Sequence, residues 1–531
     1  MAAAALARLM LMARLALADN TESRYALIGW LMFRSGNWVT PHVYKEGQLS
    51  PFLGKPPLGF WLTSLSYTTL GVSDLASRLP NFVIGLAIVA ATIFFCRHFF
   101  GGIAAALAGV ILATSALFFV LAGACVLDVP LAAATSGAMM TFARFAHGSG
   151  HRRAWGLGFF LSLAVGMLAK GPVALVLVGL PIGAWLLLTR RWRLVIELPW
   201  LGGLALFFAV AAPWYFLAEK ATPGFLKYFL INEHFLRYLQ DEYGDKYGFG
   251  QKRPYGAIWL ILLGTLLPWT LLGLAAWWRL FRRKRFVEVL RGEPWLAYVL
   301  FWGLAPAVFF TFARQILVTY LIPGFPGLAV AVAVGLERWI SSDTQSKLFG
   351  WLRWHFAFLG LMATGGIVAA VWLGSIPLAV VFAGMAAFSG WLARPNVRCG
   401  CAELTAIFGL GMTVTFSAAV LLLAPRIDDD YSTKTILGVL YRDPAARERP
   451  VVMPFGEVYS AAYYAEAAMD GRFEHRPPRK PVMTLAMLDA PGDEIFLLKR
   501  QNWKELPPEL SARLVPVAQT GHWVASERRP R

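Results

Sequence analysis

Blocks of about 20 apolar residues recur along most of this 531-residue chain and constrain its fold more than any other feature. A helix of about 20 apolar residues spans the hydrocarbon core of a bilayer. Hydrophobic residues make up 57% of the chain and charged residues only 15%, whereas a soluble domain carries roughly 25% charged residues. This composition excludes a disordered chain, a coiled coil and a simple soluble enzyme, and it predicts a polytopic membrane protein.

The apolar blocks predict an all-α membrane domain over residues 1–425. The first 18 residues form a candidate span that is short and contains Arg8 and Arg14. The other predicted spans lie near residues 80–96, 102–122, 127–146, 155–169, 172–189, 199–218, 256–278, 295–312, 316–336, 355–374, 376–393 and 403–424.

Lysine and arginine concentrate in every second loop between the predicted spans, as in the loop that contains Arg190, Arg191 and Arg193. Cytoplasmic loops carry such an excess of basic residues. This asymmetry explains the net charge of +18 without a nucleic-acid partner. The opposite face, which is the periplasm in a bacterium, then receives a first loop over 19–78, a second large loop over 219–254 and everything after about 425. We therefore expect a multi-pass protein of the inner membrane.

The last hundred or so residues differ in character from the membrane domain. Short apolar runs at 451–453, 494–498 and 514–517 are typical of strands, and residues 460–466 are typical of a helix. The segment 426–531 is therefore predicted to be a small soluble α/β domain on the periplasmic side.

Ionisable and aromatic residues are dense in the two large loops. Long loops on a rigid helical scaffold often carry function. Asp128 and Lys170 lie close to the ends of predicted spans, where ionisable groups are costly and tend to be functional. Two simpler roles stand beside this one, because Asp128 could cap the helix that it begins and Lys170 could extend to the membrane interface.

A series of motifs runs in order from residue 19 to about 335. They read T-E-S-R-Y-A, S-G-N-W-V-T-P, G-K-P-P-L-G-F-W, G-V-S-D-L-A-S-R-L-P, V-L-D-V-P, L-A-K-G-P, N-E-H-F-L-R and Y-L-I-P-G-F-P. The series resembles bacterial glycosyltransferases related to lipid A aminoarabinose transferase and to protein O-mannosyltransferases. The resemblance implies the GT-C fold with about 12–13 transmembrane helices, which need about 20 residues each, and a sugar donor carried on polyprenyl phosphate.

The same resemblance implies a catalytic carboxylate in the first loop. Sugar transfer needs a base that takes the proton of the acceptor hydroxyl as it attacks the anomeric carbon. The family carries an aspartate there, in the pattern D-E-x-R-Y, but here the stretch reads T-E-S-R-Y with Thr21 at the aspartate position. Glu22, which we favour, and Asp19 are the candidate bases, and Asp128 is a further catalytic candidate.

Basic residues at family positions are expected to meet the donor phosphate. Arg24 and Lys55 match phosphate-contacting positions, and Arg237 and Lys170 are further candidates. Cations placed beside a leaving phosphate stabilise the charge that develops on it. A guanidinium can hold phosphate oxygens in a bidentate manner, whereas an ammonium acts as a point charge.

Three further residues are assigned to substrate by the resemblance. They are Tyr25, His234 and Tyr320, although a tyrosine such as Tyr320 also suits the aromatic belt of a membrane protein. In some relatives this histidine and a glutamate just before the K-P motif hold a metal ion, but that preceding residue here is Gly54. A single histidine is a poor zinc site, since zinc takes three or four protein ligands. We therefore expect neither a required metal nor another cofactor.

The sequence thus predicts an integral membrane glycosyltransferase. It would move a sugar from a polyprenyl-phosphate donor to a lipid, glycan or protein acceptor on the periplasmic face, with membrane lipids as its other partners. The alternative is a polytopic transporter or lipid flippase, which tends to carry ionisable residues near the membrane midplane. Convergence of Asp19 or Glu22 with Arg24, Lys55, Asp128 and His234 in one cavity would favour the enzyme.

Overall fold

A computed structural model describes most of the chain. The described residues are 2–45, 48–148, 150–236, 253–281, 286–313, 315–341, 345–372, 374–394, 401–456, 458–474 and 483–529.

Helices dominate the first four-fifths of the chain and occur at each predicted span. Because a bilayer offers no hydrogen bonds to the backbone, apolar segments there satisfy their own N–H and C=O groups as helices. The first helices are α1 Ala2–Arg14, α2 Glu22–Ser35, α3 Leu58–Leu70, α4 Asp74–Phe100, α5 Gly102–Thr114, α6 Ala116–Leu121, α7 Asp128–His147, α8 Arg152–Lys170, α9 Val173–Thr189, α10 Arg193–Ile196, α11 Trp200–Ala221 and α12 Phe225–Lys227, and a π-helix Tyr228–Leu236 follows. The later ones are Ala257–Thr265, Thr270–Phe281, Phe286–Gly292, Pro294–Phe309, the 3₁₀ turns Phe310–Phe312 and Val318–Gly324, Phe325–Ile340, Gln345–Trp372, Ile376–Leu392 and Cys401–Tyr431.

Several predicted spans are shorter or more bent than the apolar blocks indicate. Within the described residues, six helices are long and apolar enough to cross a bilayer by themselves, and three more are apolar but shorter. The predicted span 256–278 is a bent pair, Ala257–Thr265 and Thr270–Arg279, whose axes differ by 105°. The predicted span 102–122 is divided at Ser115 into α5 and α6. The chain is therefore a multi-pass membrane protein of irregular helices.

Close helix approach holds the centre of the membrane domain together. A side chain at Gly327 would lie 2.7 Å from the backbone nitrogen of Gly303, so these two helices pack backbone against backbone. Small residues at such contacts drive helix association where lipid removes the hydrophobic driving force. Large buried rings fill the spaces beside them, and the hydroxyl of Tyr298 donates to the carbonyl oxygen of Met139 at 2.7 Å.

A small sheet domain follows the last long helix, as predicted. Its strands are β3 Pro450–Val452, β4 Arg472–Phe473, β5 Ile495–Lys499, β6 Leu514–Gln519 and β7 Trp523–Arg528, in the spatial order β4-β3-β5-β7-β6. Strand β3 pairs in parallel with β4 and β5, whereas β7 pairs antiparallel with β5 and β6. Short helices surround the sheet at Lys434–Leu440, Pro444–Glu448, Tyr459–Ala462, Leu485–Asp489, Arg500–Lys504 and Pro508–Ser511, with a π-helix at Tyr463–Ala468.

The first loop folds against this sheet domain. It contains α2, α3 and a hairpin that the sequence did not indicate, β1 His42–Lys45 with β2 Gln48–Pro51. One buried apolar cluster includes Ile28 and Phe60 of the loop and Leu437 and Tyr463 of the C-terminal domain. The C-terminal domain therefore covers the first loop at one end of the helical bundle.

Candidate active site

Asp128 and Lys170 form a buried ion pair at the centre of the candidate site. Asp128 begins α7 and Lys170 ends α8, and these consecutive helices pack along each other so that both residues lie at the same end of the bundle. Lys170 Nζ contacts Oδ1 of Asp128, and the two side chains are 12% and 9% exposed. The N-cap position of α7 belongs to Leu127, so the capping role considered for Asp128 is wrong. The Lys170 ammonium is buried in this ion pair.

Tyr320 completes this group. The Lys170 ammonium lies 4.6 Å from the centre of the Tyr320 ring, within range of a cation–π interaction. Tyr320 belongs to the 3₁₀ turn Val318–Gly324, which contacts α7. The tyrosine therefore lies beside the buried ion pair, and we call Asp128, Lys170, Tyr320 and the neighbouring His234 the Asp128 group.

His234 lies beside Lys170 on the π-helix Tyr228–Leu236. Its Nδ1 is 2.7 Å from the carbonyl oxygen of Phe229, and its Nε2 is 3.4 Å from the carbonyl oxygen of Lys170. Burial, together with the nearby Lys55 charge, lowers the pKa of His234 below its usual value of 6.5, so the ring is neutral at pH 7. Gly171, with φ +88°, makes the approach possible, since a side chain there would lie 2.6 Å from Phe229.

Lys55 pairs with a carboxylate that the sequence analysis did not select. Its ammonium contacts Glu233 Oε1 and also donates to the carbonyl oxygen of Gly54 at 2.7 Å. Glu233 is the acidic residue of the N-E-H motif and lies next to His234 along the chain. The family glutamate before K-P is absent at Gly54, and a glutamate from the second loop meets the lysine instead.

Among the described residues, the side chains around His234 do not form a metal site. Within the described ranges, no three histidine, cysteine, aspartate or glutamate side chains converge as a metal site would require. The adjacent Glu233 is engaged by Lys55.

Arg24 and Tyr25 bring the first turn of α2 to the site. The Arg24 guanidinium lies 5.2 Å from the Tyr25 ring, 5.9 Å from the Phe52 ring and 5.7 Å from the Tyr459 ring. Tyr25 is within electrostatic range of Lys170. Three aromatic rings thus surround the arginine between the first loop and the C-terminal domain, adjacent to the Asp128 group.

Glu22 lies in a separate, fully occupied ion pair. Arg78 donates from Nη2 to Oε2 at 2.7 Å and from Nε to Oε1 at 3.0 Å, which is a bidentate fork. The backbone N–H of Cys125 donates to Oε1 at 2.9 Å. Burial alone would raise the pKa of Glu22, but the charge and hydrogen bonds of Arg78 lower it below 4.5. The glutamate therefore holds the first loop against α4.

Asp19 faces the C-terminal domain. The backbone N–H of Ser460 donates to its Oδ1 at 2.9 Å, and the hydroxyls of Ser460 and Ser23 also donate to the carboxylate. Burial raises the pKa of Asp19, and these hydrogen bonds offset part of that rise. The carboxylate thus joins two segments of the chain.

The predicted residues fall into two groups. The structure brings together Lys55, Asp128, Lys170, His234 and Tyr320, with Arg24 and Tyr25 beside them, whereas Asp19 and Glu22 make their contacts with Ser460 and Arg78. The remaining predicted residue, Arg237, lies outside the described residues. Arg78 and Glu233 were present in quoted motifs, but only the fold reveals their partners.

Comparisons with known proteins agree with this architecture. Residues 54–216 match the family described as dolichyl-phosphate-mannose-protein mannosyltransferase. Two relatives, from Enterobacter sp. (strain 638) and Aeromonas hydrophila subsp. hydrophila, are named undecaprenyl phosphate-alpha-4-amino-4-deoxy-L-arabinose arabinosyl transferase. They are 28% and 30% identical, each over 64% of this chain, and the matched segments span 59% and 60% of the relatives' own lengths.

A solved structure extends the likeness to the whole fold. The crystal structure of ArnT from Cupriavidus metallidurans bound to undecaprenyl phosphate superimposes with a TM-score of 0.79 at 22% identity. The match covers 100% of this chain and 98% of that one. The chain therefore has the fold of this structure and, as its motifs predict, is similar in sequence to these arabinosyl transferases and, over residues 54–216, to the mannosyltransferase family.

Proposed function

We propose that this chain is a membrane glycosyltransferase that moves a sugar from a polyprenyl-phosphate donor to an acceptor at the periplasmic face. One observation carries the proposal: the Asp128 carboxylate lies within a buried group of Lys170, His234 and Tyr320 at one end of the helical bundle. The names of the relatives make undecaprenyl phosphate aminoarabinose the first donor to test. A lipid A-like molecule is the first acceptor, with a glycan or a protein as the other acceptor classes.

Asp128, rather than Glu22, is the base that we propose. Lys170 contacts Oδ1 of Asp128, while Oδ2 makes no hydrogen bond to any described residue. In Glu22, by contrast, both carboxylate oxygens accept hydrogen bonds from Arg78. A base must reach the proton that it removes, and the acceptor hydroxyl can approach the open oxygen of Asp128. Lys170 holds the other oxygen of this carboxylate and so fixes its orientation.

The cations beside Asp128 would stabilise the lipid phosphate as it leaves. As the bond to the anomeric carbon breaks, negative charge grows on the lipid phosphate. Lys55, Lys170 and Arg24 lie around the same group and would stabilise that charge, which is most effective where water is excluded. The proposed role of Arg24 is bidentate contact with phosphate oxygens. A metal or other cofactor is not required in this scheme.

The two ends of the bundle support a periplasmic site. The Asp128 group lies where α7 begins and α8 ends, whereas Arg144 and Arg152 lie at the opposite ends of the same helices. Basic residues mark the cytoplasmic side. The ionisable side chains of the site lie at helix ends, which favours an enzyme over a transporter with a midplane site.

The test is sugar transfer by purified protein in lipid nanodiscs. The donors are undecaprenyl phosphate carrying aminoarabinose or a hexose, and the acceptors, tested in turn, are lipid A, a glycan and a protein. Asp128→Asn keeps size but removes the base, so we expect transfer to fall at least about 100-fold. Transfer by Glu22→Gln, measured per folded molecule, should stay within about tenfold of wild type, since no proton transfer would pass through it. Chelation by EDTA should leave the rate unchanged.

Three results would contradict the proposal. If neither donor is consumed with any acceptor class, the enzymatic function is wrong. If Asp128→Asn transfers sugar at the wild-type rate, Asp128 is not the base. If EDTA abolishes transfer and a divalent ion restores it, a metal takes part.

A further inference from the structure

An apolar groove of about 180 Å³ lies between helices of the bundle, and none of its described lining residues belongs to the Asp128 group. Helix α1 forms one wall, α4 a second, and the α5–α6 segment the third. Small side chains such as Ala5 and Gly85 line its floor, and Phe82, Phe118 and Phe119 line its sides. Such a groove in a membrane protein is shaped for a hydrocarbon chain.

Arg8 is the one charged residue among the described residues that line the groove. Its side chain is buried, with the residue 8% exposed, and Nη2 donates to the carbonyl oxygen of Val120 at 2.5 Å. The buried Nε has no hydrogen-bond partner among the described residues. A side chain at Gly123 would come within 2.4 Å of this nitrogen, so the glycine leaves space for the guanidinium.

The neighbouring charges do not balance Arg8. Arg78 and Glu22 are the nearby ionised groups, and they are already joined to each other by the bidentate fork. The Glu22 carboxylate is therefore engaged by Arg78, and Arg8 itself makes no ion pair with any described residue. An uncompensated cation is costly at such a site, and an anion brought to Arg8 would restore neutrality.

We propose that the groove binds an anionic phospholipid of the surrounding bilayer. Its phosphate would pair with the Arg8 guanidinium, and one hydrocarbon chain would lie along the apolar wall. A free phosphate ion does not suit the site, because every lining residue except Arg8 is apolar. The inference stands apart from the proposed glycosyl transfer, since none of the lining residues belongs to the Asp128 group.

Native mass spectrometry of the detergent-purified protein, titrated with single lipids, tests the site. Phosphatidylglycerol should bind more tightly than phosphatidylcholine and far more tightly than diacylglycerol. Arg8→Ala should weaken phosphatidylglycerol binding about tenfold, which is the effect of one charge-assisted hydrogen bond. Arg14→Ala removes the same charge from an exposed position of α1 and should leave binding unchanged.

A second variant keeps the test decisive if Arg8→Ala fails to fold. Ala5→Phe fills the groove and leaves the arginine in place, so it should reduce binding of phosphatidylglycerol and phosphatidylcholine alike. Inorganic phosphate at millimolar concentration should not displace the bound lipid. Equal phosphatidylglycerol binding by wild type and both groove variants would overturn the inference, as would displacement by inorganic phosphate alone.

Discussion

Glu22 of the first loop shows that a motif residue can have a partner that the sequence does not reveal. Thr21 occupies the position of the family aspartate, and Glu22 is the next acid along the chain. The fold directs Glu22 toward Arg78, with both carboxylate oxygens engaged. The sequence favoured Glu22 as base because it was nearest to the missing aspartate, whereas its geometry is that of a structural ion pair.

Glu22→Gln is therefore expected to destabilise the protein. Removing one member of a buried ion pair leaves an uncompensated charge and costs about 3–5 kcal/mol. The folded-state pKa of Glu22 is lowered below 4.5. Its contribution to stability is thus fully present above pH 4.5 and is lost as the pH falls through the folded pKa.

Thermal unfolding in detergent at pH 7 and at lower pH measures this contribution. The variant should unfold at a lower temperature than wild type at pH 7, and the gap should narrow on acidification below 4.5. Glu509→Gln, at an exposed position of the C-terminal domain, is the matched control and should behave as wild type. A gap that stays constant with pH would show that Glu22 ionisation does not stabilise the fold.

At the scale of helices and strands, the length of the apolar blocks alone predicts where the helices lie. It does not predict where a helix bends or which elements pair. The block 256–278 is continuous in hydrophobicity, yet the backbone turns by 105° in the region of Pro268, which lacks the N–H that a helix needs. The β1–β2 hairpin has no strong alternation, and its pairing depends on the surrounding loop.

The candidate site was partly predictable, because apolar length also shows which ionisable residues lie near helix ends. Asp128 and Lys170 stood out as ionisable residues near the ends of apolar blocks. Their pairing required knowledge that α7 and α8 pack along each other. The Lys55–Glu233 pair joins residues 178 positions apart, and no local pattern encodes such a distance. The local sequence thus indicates which ionisable residues are candidates for the site, whereas the packing of the helices determines which residues they pair with.

The turn between α8 and α9 is expected to require a glycine at position 171. Gly171 has φ +88°, and a side chain there would lie 2.6 Å from Phe229 and 3.3 Å from His234. Gly171→Ala should cost about 1–2 kcal/mol from backbone strain and shift the π-helix that carries His234. Sugar transfer and unfolding temperature should both fall.

The matched control is Gly179→Ala in α9. A side chain at this glycine meets no atom within 4 Å, and alanine is the better helix former by about 0.5–1 kcal/mol. This variant should keep full transfer and unfold at the same temperature or slightly higher. Wild-type behaviour of Gly171→Ala in both assays would mean that the turn tolerates a side chain and does not position His234.

At the scale of the whole molecule, hydrogen bonds join the C-terminal domain to the first loop. The hydroxyl of Tyr464 accepts from the backbone N–H of Leu17 at 2.7 Å and donates to Asp74 at 2.8 Å. Asp74 also pairs with Lys434 at 2.6 Å. Together with the contact between Asp19 and Ser460, these bonds tie the loop that carries Arg24 and Tyr25 to residues that lie between 360 and 447 positions further along the chain.

Tyr464→Phe tests whether this connection orders the first loop. The change leaves the buried Leu17 N–H and one Asp74 oxygen without a partner, at a cost of about 1–3 kcal/mol each. Amides at the start of α2 should exchange hydrogen faster, and sugar transfer should fall although the Asp128 group is intact. Tyr441→Phe is the control, because the buried Tyr441 hydroxyl has no hydrogen-bond partner among the described residues. If both variants exchange at the wild-type rate, the first loop is ordered without the C-terminal domain, and the domain serves another purpose.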